Sequence, residues 1–279
     1  MPKSQEPMRS PLRGIKLLNM GKPGTGKTHT IKSIMDSGLD CYGIFTEPGA
    51  DVITGDSRLK FAYIAPQPEG WETLEDIADK SNTMIGENIK KMNLDRSGHK
   101  QFFQVLSMCK DFIDERTGKH YGPIESWGTD RCFCFDSLTG LVSMVRGLVA
   151  GAKPALTWPE YDTTQQNVLN FVNKLFTSLR CHVYLTAHID MIVDEISGMR
   201  TIMAHTLGKA ISPIIHVNAT DAVLSTRAKL DFKWSAAYED AMVKAQNMPM
   251  DGEYPQDFGI LLSNWVARGG IVESGGPSE

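Results

Sequence analysis

Short runs of consecutive apolar residues alternate along this chain with longer stretches in which apolar side chains return at helical spacing, and Gly, Pro and polar residues separate the two. The short runs suit strands buried on both faces, and the longer stretches suit helices packed on one side. Their alternation predicts an α/β domain with a mostly parallel central sheet flanked by helices. Ile15 to Met20 reads as the first strand and Thr28 to Met35 as a helix, ended by Ser37-Gly38. Cys41 to Phe45 is a second strand, and Phe61 to Ile64 a short third before the breakers Pro66 and Pro68. Trp71 to about Glu115 reads as helical, with Leu74, Ile77, Ile85, Ile89 and Phe102 to Leu106 at helix-like spacing.

Arg131 to Phe135 is a compact strand ending at Asp136, followed by a helix from Leu138 to Val149. Gly151 to Asp162 reads as a loop, Asn167 to Leu179 as an amphipathic helix, and Cys181 to Thr186 as another buried strand. Thr220 to Ser225 is a late strand, with Arg227 to Trp234 beside it. This divides the chain into a flexible tail over 1–13, one sheet-based domain over 14–234 with the helical stretch 70–125 inside it, and a C-terminal segment and tail over 235–279. There is no internal repeat.

Composition narrows this picture only a little. A length of 279 residues suits one large domain with extensions. The formal net charge of −4 supplies no global basic field for nucleic acid, so any such contact must come from a local strip. Five cysteines (Cys41, Cys109, Cys132, Cys134, Cys181) are an odd, irregular set and predict free thiols in a reduced, cytoplasmic chain. Cys132 and Cys134 would share one face of a strand, as core packing. No stretch approaches the roughly 20 apolar residues of a membrane span, so no membrane partner is expected.

Chemistry enters at Gly21-Lys22-Pro23-Gly24-Thr25-Gly26-Lys27-Thr28, a full match to G-x-x-x-x-G-K-[ST] between a predicted strand and helix. Its glycines let backbone N–H groups wrap a phosphate, Lys27 brings a point charge to the β- and γ-phosphates, and Thr28 offers a hydroxyl to Mg²⁺. His29 follows directly and extends the nucleotide-binding set. Asp136, at the carboxyl end of a hydrophobic strand set beside the P-loop strand, is placed to organise the Mg²⁺ shell with Thr28. Glu47 ends the second strand, where side chains face the ligand crevice, and is a candidate to polarise the attacking water. On pattern alone, a solvated turn acid before Pro48-Gly49 is an equal reading. Thr186-Ala187-His188 ends a later strand, where His188 is a candidate sensor of the γ-phosphate.

The order of these motifs resembles the RecA-like ATPases, and most of all the phage-encoded P-loop ATPases of the Sak-type group related to the RecA/RadA recombinases. The resemblance spans about residues 14 to 250. It implies a RecA-like P-loop core, ATP and Mg²⁺ as ligands, and Lys27, Glu47, Asp136 and His188 as the catalytic set. Ile44-Phe45-Thr46-Glu47-Pro48-Gly49 is similar to the recombinase segment carrying the catalytic glutamate, and His188 stands where recombinases have Gln or Asn. The resemblance also implies action on single-stranded DNA in recombination or annealing, assembly into a homo-oligomeric ring or filament, and a phage single-strand-binding protein as partner. Gly151 to Asp162 and Asp190 to Ser212 resemble the two DNA-facing loops, with Lys153, Trp158, Arg200, His205 and Lys209 as candidate contacts. Lys244-Ala245-Gln246 is similar to the Lys-x-Arg motif that reaches a neighbour's nucleotide, although Gln246 replaces the arginine and only Lys244 keeps a charge. Two other classes fit a P-loop: an ATP switch in a DNA-processing or packaging assembly, and a nucleotide kinase. The second would carry clustered arginines in a lid, which this sequence lacks.

Overall fold

The computed structural model describes residues 12–67, 71–83, 96–151, 153, 155–193, 195, 197–206, 211–229, 231–235, 241–248 and 252–273. In chain order the main elements are β1 (Lys16–Gly21), α1 (Thr30–Asp36), β2 (Asp40–Phe45), α2 (Asp51–Thr54), β3 (Leu59–Tyr63), α3 (Trp71–Thr83), α4 (Gln101–Lys110), β4 (Arg131–Asp136), α5 (Leu138–Ala150), α6 (Trp158–Asn173), β5 (His182–Ala187), β6 (Ile189–Val193), β7 (Arg200–Ala204), α7 (Ile211–Asn218), β8 (Asp221–Ala228), β9 (Asp231–Ser235), β10 (Glu253–Pro255) and α8 (Phe258–Ala267). Eight strands form one sheet in the order β10-β9-β8-β1-β5-β4-β2-β3. From β8 to β3 every pairing is parallel, and β9 and β10 close the other edge antiparallel.

Both faces of the sheet are covered, which is why its strands read as unbroken apolar runs rather than alternating ones. Leu18 and Met20 of β1 pack into the core under α4 to α7, whereas Ile15 and Leu17 pack into a second core under α1 and α8. Cys132 and Cys134 lie together in that second core, as free thiols. Among the described residues no helix is long and apolar enough to cross a membrane.

Several elements differ from the expectation. The segment from Trp71 to Glu115 is not one helical stretch: α4 ends at Lys110, and Ile113 pairs with His120 in a bridge. Residues 84–95 of that stretch, and 1–11 of the tail, lie outside the described residues. The loop expected over Gly151 to Asp162 is cut short because α6 begins at Trp158, not Asn167. Glu160 accepts from Thr157 N at 2.8 Å and from its hydroxyl at 2.9 Å, a capping box that starts the helix. α1 begins at Thr30 rather than Thr28, after a hydrogen-bonded turn in which Thr30 N donates to Gly26 O. Asp190 to Ser212 is not simply a loop either, since β6 and β7 pair as an antiparallel hairpin. The C-terminal segment contributes β10 to the same sheet, and α8 packs against α1.

Candidate nucleotide site

The P-loop leaves the carboxyl end of β1 and folds back over it. Gly26 holds φ +87°, a conformation that favours glycine, and a Cβ there would sit 2.5 Å from the Phe232 ring. Lys27 is folded under the loop, its ammonium donating to Gly21 O at 2.8 Å and Lys22 O at 3.0 Å. Burial lowers its pKa, while Asp136 and Glu47 pull it back up. Lys22, Pro23, Gly24 and His29 are exposed around the loop.

Asp136 does not stand beside the P-loop strand as expected: β5 lies between β1 and β4. Its carboxylate nevertheless reaches across, because the P-loop overhangs the strand ends. Thr28 Oγ1 donates to Asp136 Oδ2 at 2.6 Å, and Thr186 of the intervening β5 donates to Oδ1. Burial pushes the Asp136 carboxyl above its ordinary range and nearby Glu47 adds to this, against the two hydroxyls and Lys27. The Asp136–Ser137 peptide is cis.

Glu47 follows β2, which lies beside β4. Thr46 N donates to Asp136 O at 2.7 Å and Ser137 N to Thr46 Oγ1 at 2.9 Å, so the two strand ends stay paired as they leave the sheet. This sets Glu47 against Ser137, whose hydroxyl donates to its Oε1, and against His188, whose Nε2 lies 3.3 Å from Oε2. The His188 contact holds the Glu47 carboxyl below its ordinary range despite partial burial, which alone would raise it; Ser137 and Lys27 add to the lowering. The close approach of α5 requires Gly140, because a Cβ there would meet Thr46 Oγ1 at 2.0 Å. Lys27, Thr28, Glu47, Asp136 and His188 are therefore drawn together at one edge of the sheet.

A buried polar chain beneath the loop was not anticipated from the sequence. Gln256 Nε2 lies 2.8 Å from Thr25 O and 3.0 Å from Ser225 Oγ, and its Oε1 accepts from Thr30 Oγ1 at 3.0 Å. Ser225 Oγ donates to Asn19 Oδ1, Asn19 Nδ2 donates to the Tyr184 hydroxyl at 2.6 Å, and that hydroxyl donates to Lys27 O at 2.7 Å. The P-loop is thus tied to β8, β1, β5 and the residue that follows β10 at once. Gln256→Ala is expected to cost about 1–3 kcal/mol of stability through the groups left unpaired. Thermal unfolding checks this, and an unchanged Tm would contradict it.

Beside the loop lies a cleft of about 330 Å³ lined by His29, Phe232, Tyr254, Pro255 and Gln256. The His29 and Phe232 rings are tilted against each other with centroids 6.2 Å apart, and the Arg227 guanidinium lies over the Phe232 ring, 5.2 Å from its centroid.

The other candidates are placed differently. Lys153 is not an exposed contact: it is 7% exposed and its ammonium pairs with Glu160 at 2.7 Å. Trp158 is 84% exposed at the start of α6, and Arg200 is exposed on β7. His205 Nδ1 meets Asp190 at 2.8 Å across the base of the hairpin. Lys209 lies outside the described residues. Lys244 pairs by its backbone with Ala222 near the amino end of β8, away from the P-loop of its own chain, and its Nζ donates to Val217 O at 2.6 Å.

Among the described residues no three His, Cys, Asp or Glu side chains cluster to hold a metal ion unaided. A magnesium ion bound with a triphosphate asks less of the protein, one hydroxyl and one carboxylate, and Thr28 and Asp136 meet in that way. No protein-family model matches this chain, and no curated protein matches it.

Proposed function

We propose that this protein is a Mg²⁺-dependent ATPase of RecA-like type that acts on single-stranded DNA as a homo-oligomer, ring or filament. The observation that carries the reading is the meeting, at the carboxyl ends of the parallel strands, of two hydrogen-bonded pairs, Thr28 with Asp136 and His188 with Glu47, within electrostatic reach of Lys27. Phosphoryl transfer to water needs charge neutralisation and positioning more than covalent help from the protein, and this set supplies both. Lys27 exchanges its loop carbonyls for β- and γ-phosphate oxygens, a stronger charge-assisted pairing. Thr28 and Asp136 would hold a Mg²⁺ ion, which when bound would supply charge neutralisation to the phosphates.

Glu47 orients the attacking water. Its lowered pKa keeps it ionised at neutral pH, and it accepts the proton once the water's pKa falls in the transition state. His188 bridges Glu47 to the β6–β7 hairpin, so the state of the γ-phosphate reaches that hairpin. The cleft lined by His29, Phe232 and Tyr254 receives the base against an aromatic side chain.

The DNA part rests on the resemblance together with Trp158 and Arg200, exposed at the start of α6 and on β7. Loss of Lys153 to an internal ion pair leaves stacking on Trp158 as the stronger contact. ATP turnover measured with and without single-stranded DNA tests it: DNA is expected to bind and to stimulate turnover. A preparation that hydrolyses ATP but neither binds nor responds to DNA would refute the DNA role and leave the ATPase standing.

A further inference from the structure

We propose that the chain carries a second anion site, at the sheet edge opposite the P-loop, in which Lys16, Arg13 and Arg268 bind a phosphate group. β1 begins at Lys16 and delivers the P-loop only at its other end, so the two sites are separated by the length of the strand. A cavity of about 210 Å³ opens there, lined by Arg13, Lys16, Phe176, Asn218, Asn247 and Arg268 among others. It equals about seven waters at roughly 30 Å³ each, room for a phosphate or small phosphomonoester but not for a polymer.

Lys16 is the reason to expect an anion. It is 2% exposed, and its ammonium donates to the Cys181 carbonyl. An ammonium has three donors, and among the described residues no carboxylate meets this one. Buried cations are ordinarily paired, because a lone carbonyl does not replace the water they give up. The one buried acid nearby, Asp221, is committed elsewhere: it accepts from Gln246 N, Asn247 N and Asn247 Nδ2 at 2.9, 2.7 and 2.6 Å. Asp221 stands opposite Leu17 in the sheet, so its side chain and that of Lys16 leave on opposite faces. Burial lowers the Lys16 pKa to about 8, which still leaves it charged at neutral pH.

The guanidinium groups complete the set. Arg268 spends Nη1 on Gln246 O at 2.7 Å and Asn247 Oδ1 at 2.9 Å, and its other nitrogens make no bond among the described residues. Arg13 is exposed, and its side chain has no partner among them. The cavity lies at the end of the strands and reaches both faces of the sheet, lined by Phe176 from one core and Trp265 from the other, so Lys16, Arg13 and Arg268 line one space and their charges suit a tetrahedral oxyanion.

The test is calorimetric titration of the full chain carrying Lys27→Ala, so that the P-loop does not contribute, with inorganic phosphate and with glycerol 3-phosphate as probes. Phosphate is expected to bind this variant at one site. Adding Lys16→Met should weaken binding roughly tenfold to a hundredfold, the loss of one charge-assisted contact, and Arg13→Gln should weaken it by roughly tenfold. Equal binding of the two probes would assign the site to a phosphomonoester, and binding of inorganic phosphate alone to the free anion. The proposal is overturned if the Lys27→Ala chain binds neither probe, or if Lys16→Met and Arg13→Gln leave binding unchanged. Should Lys16→Met fail to fold, the exposed Arg13→Gln decides alone. Loss of ATP turnover in Lys27→Ala bears only on the P-loop reading.

Discussion

Replacing Glu47 by Gln is expected to lower ATP turnover by roughly 10²- to 10⁴-fold while nucleotide affinity stays within about a factor of three. The substitution keeps the side chain's length and its contact with the Ser137 hydroxyl, and removes the charge that orients and finally deprotonates water. Glu47 is more than a third exposed, so stability should change by no more than about 0.5 kcal/mol. Single-turnover hydrolysis with equilibrium binding of a fluorescent analogue separates the two effects. Turnover close to that of the unaltered protein would remove Glu47 from the chemistry and leave an ATP-binding switch.

Asp136→Asn should produce a more revealing pair of changes. Mg²⁺-dependent turnover is expected to fall by at least about 10²-fold, since several kcal/mol of charge stabilisation at the phosphates depends on the ion being held. Thermal stability should rise. The Asp136 pKa is raised on folding, so the folded state holds its proton more tightly than the unfolded chain. Its contribution to stability is fully present below the unfolded pKa and is lost as pH rises through the folded one. Ionising this carboxyl in the folded chain is therefore a cost that Asn removes. Each kcal/mol recovered raises Tm by about 2–4 °C in a chain of this size. The gain in Tm over the unaltered protein should shrink as pH is lowered towards the carboxylate range. A Tm that falls would show that the two threonine bonds outweigh the charge, and a gain independent of pH would show that ionisation of Asp136 is not its source.

Much of this site was legible because its parts are local. The P-loop, Asp136 and His188 each end an apolar run in the sequence, and a run's end is where the chain leaves a buried strand. The start of α6 was misread because Trp158-Pro159 looks like loop chemistry. Proline in the first turn of a helix lacks only an N–H that would have had no partner there, and Thr157 with Glu160 supplies the real signal. The hairpin β6–β7 mixes apolar and polar residues on a half-exposed ribbon, which blurs its period. Lys153 looked like a free cation because burial by Glu160 depends on where α6 packs. Gln256 could not have been found: it meets Thr25 across 231 residues, and no local pattern distinguishes it from any other glutamine.

The insertion of β5 between β1 and β4 has a mechanical consequence. One strand carries Thr186, which grips Asp136, and delivers His188, which grips Glu47, before running straight into the hairpin. A strand advances about 3.3 Å per residue, so a slide of a single position would take both grips out of reach together. The strand then works as a clutch, with both carboxylates engaged or neither. A load that pulled the hairpin outward along this strand would have to break both grips together.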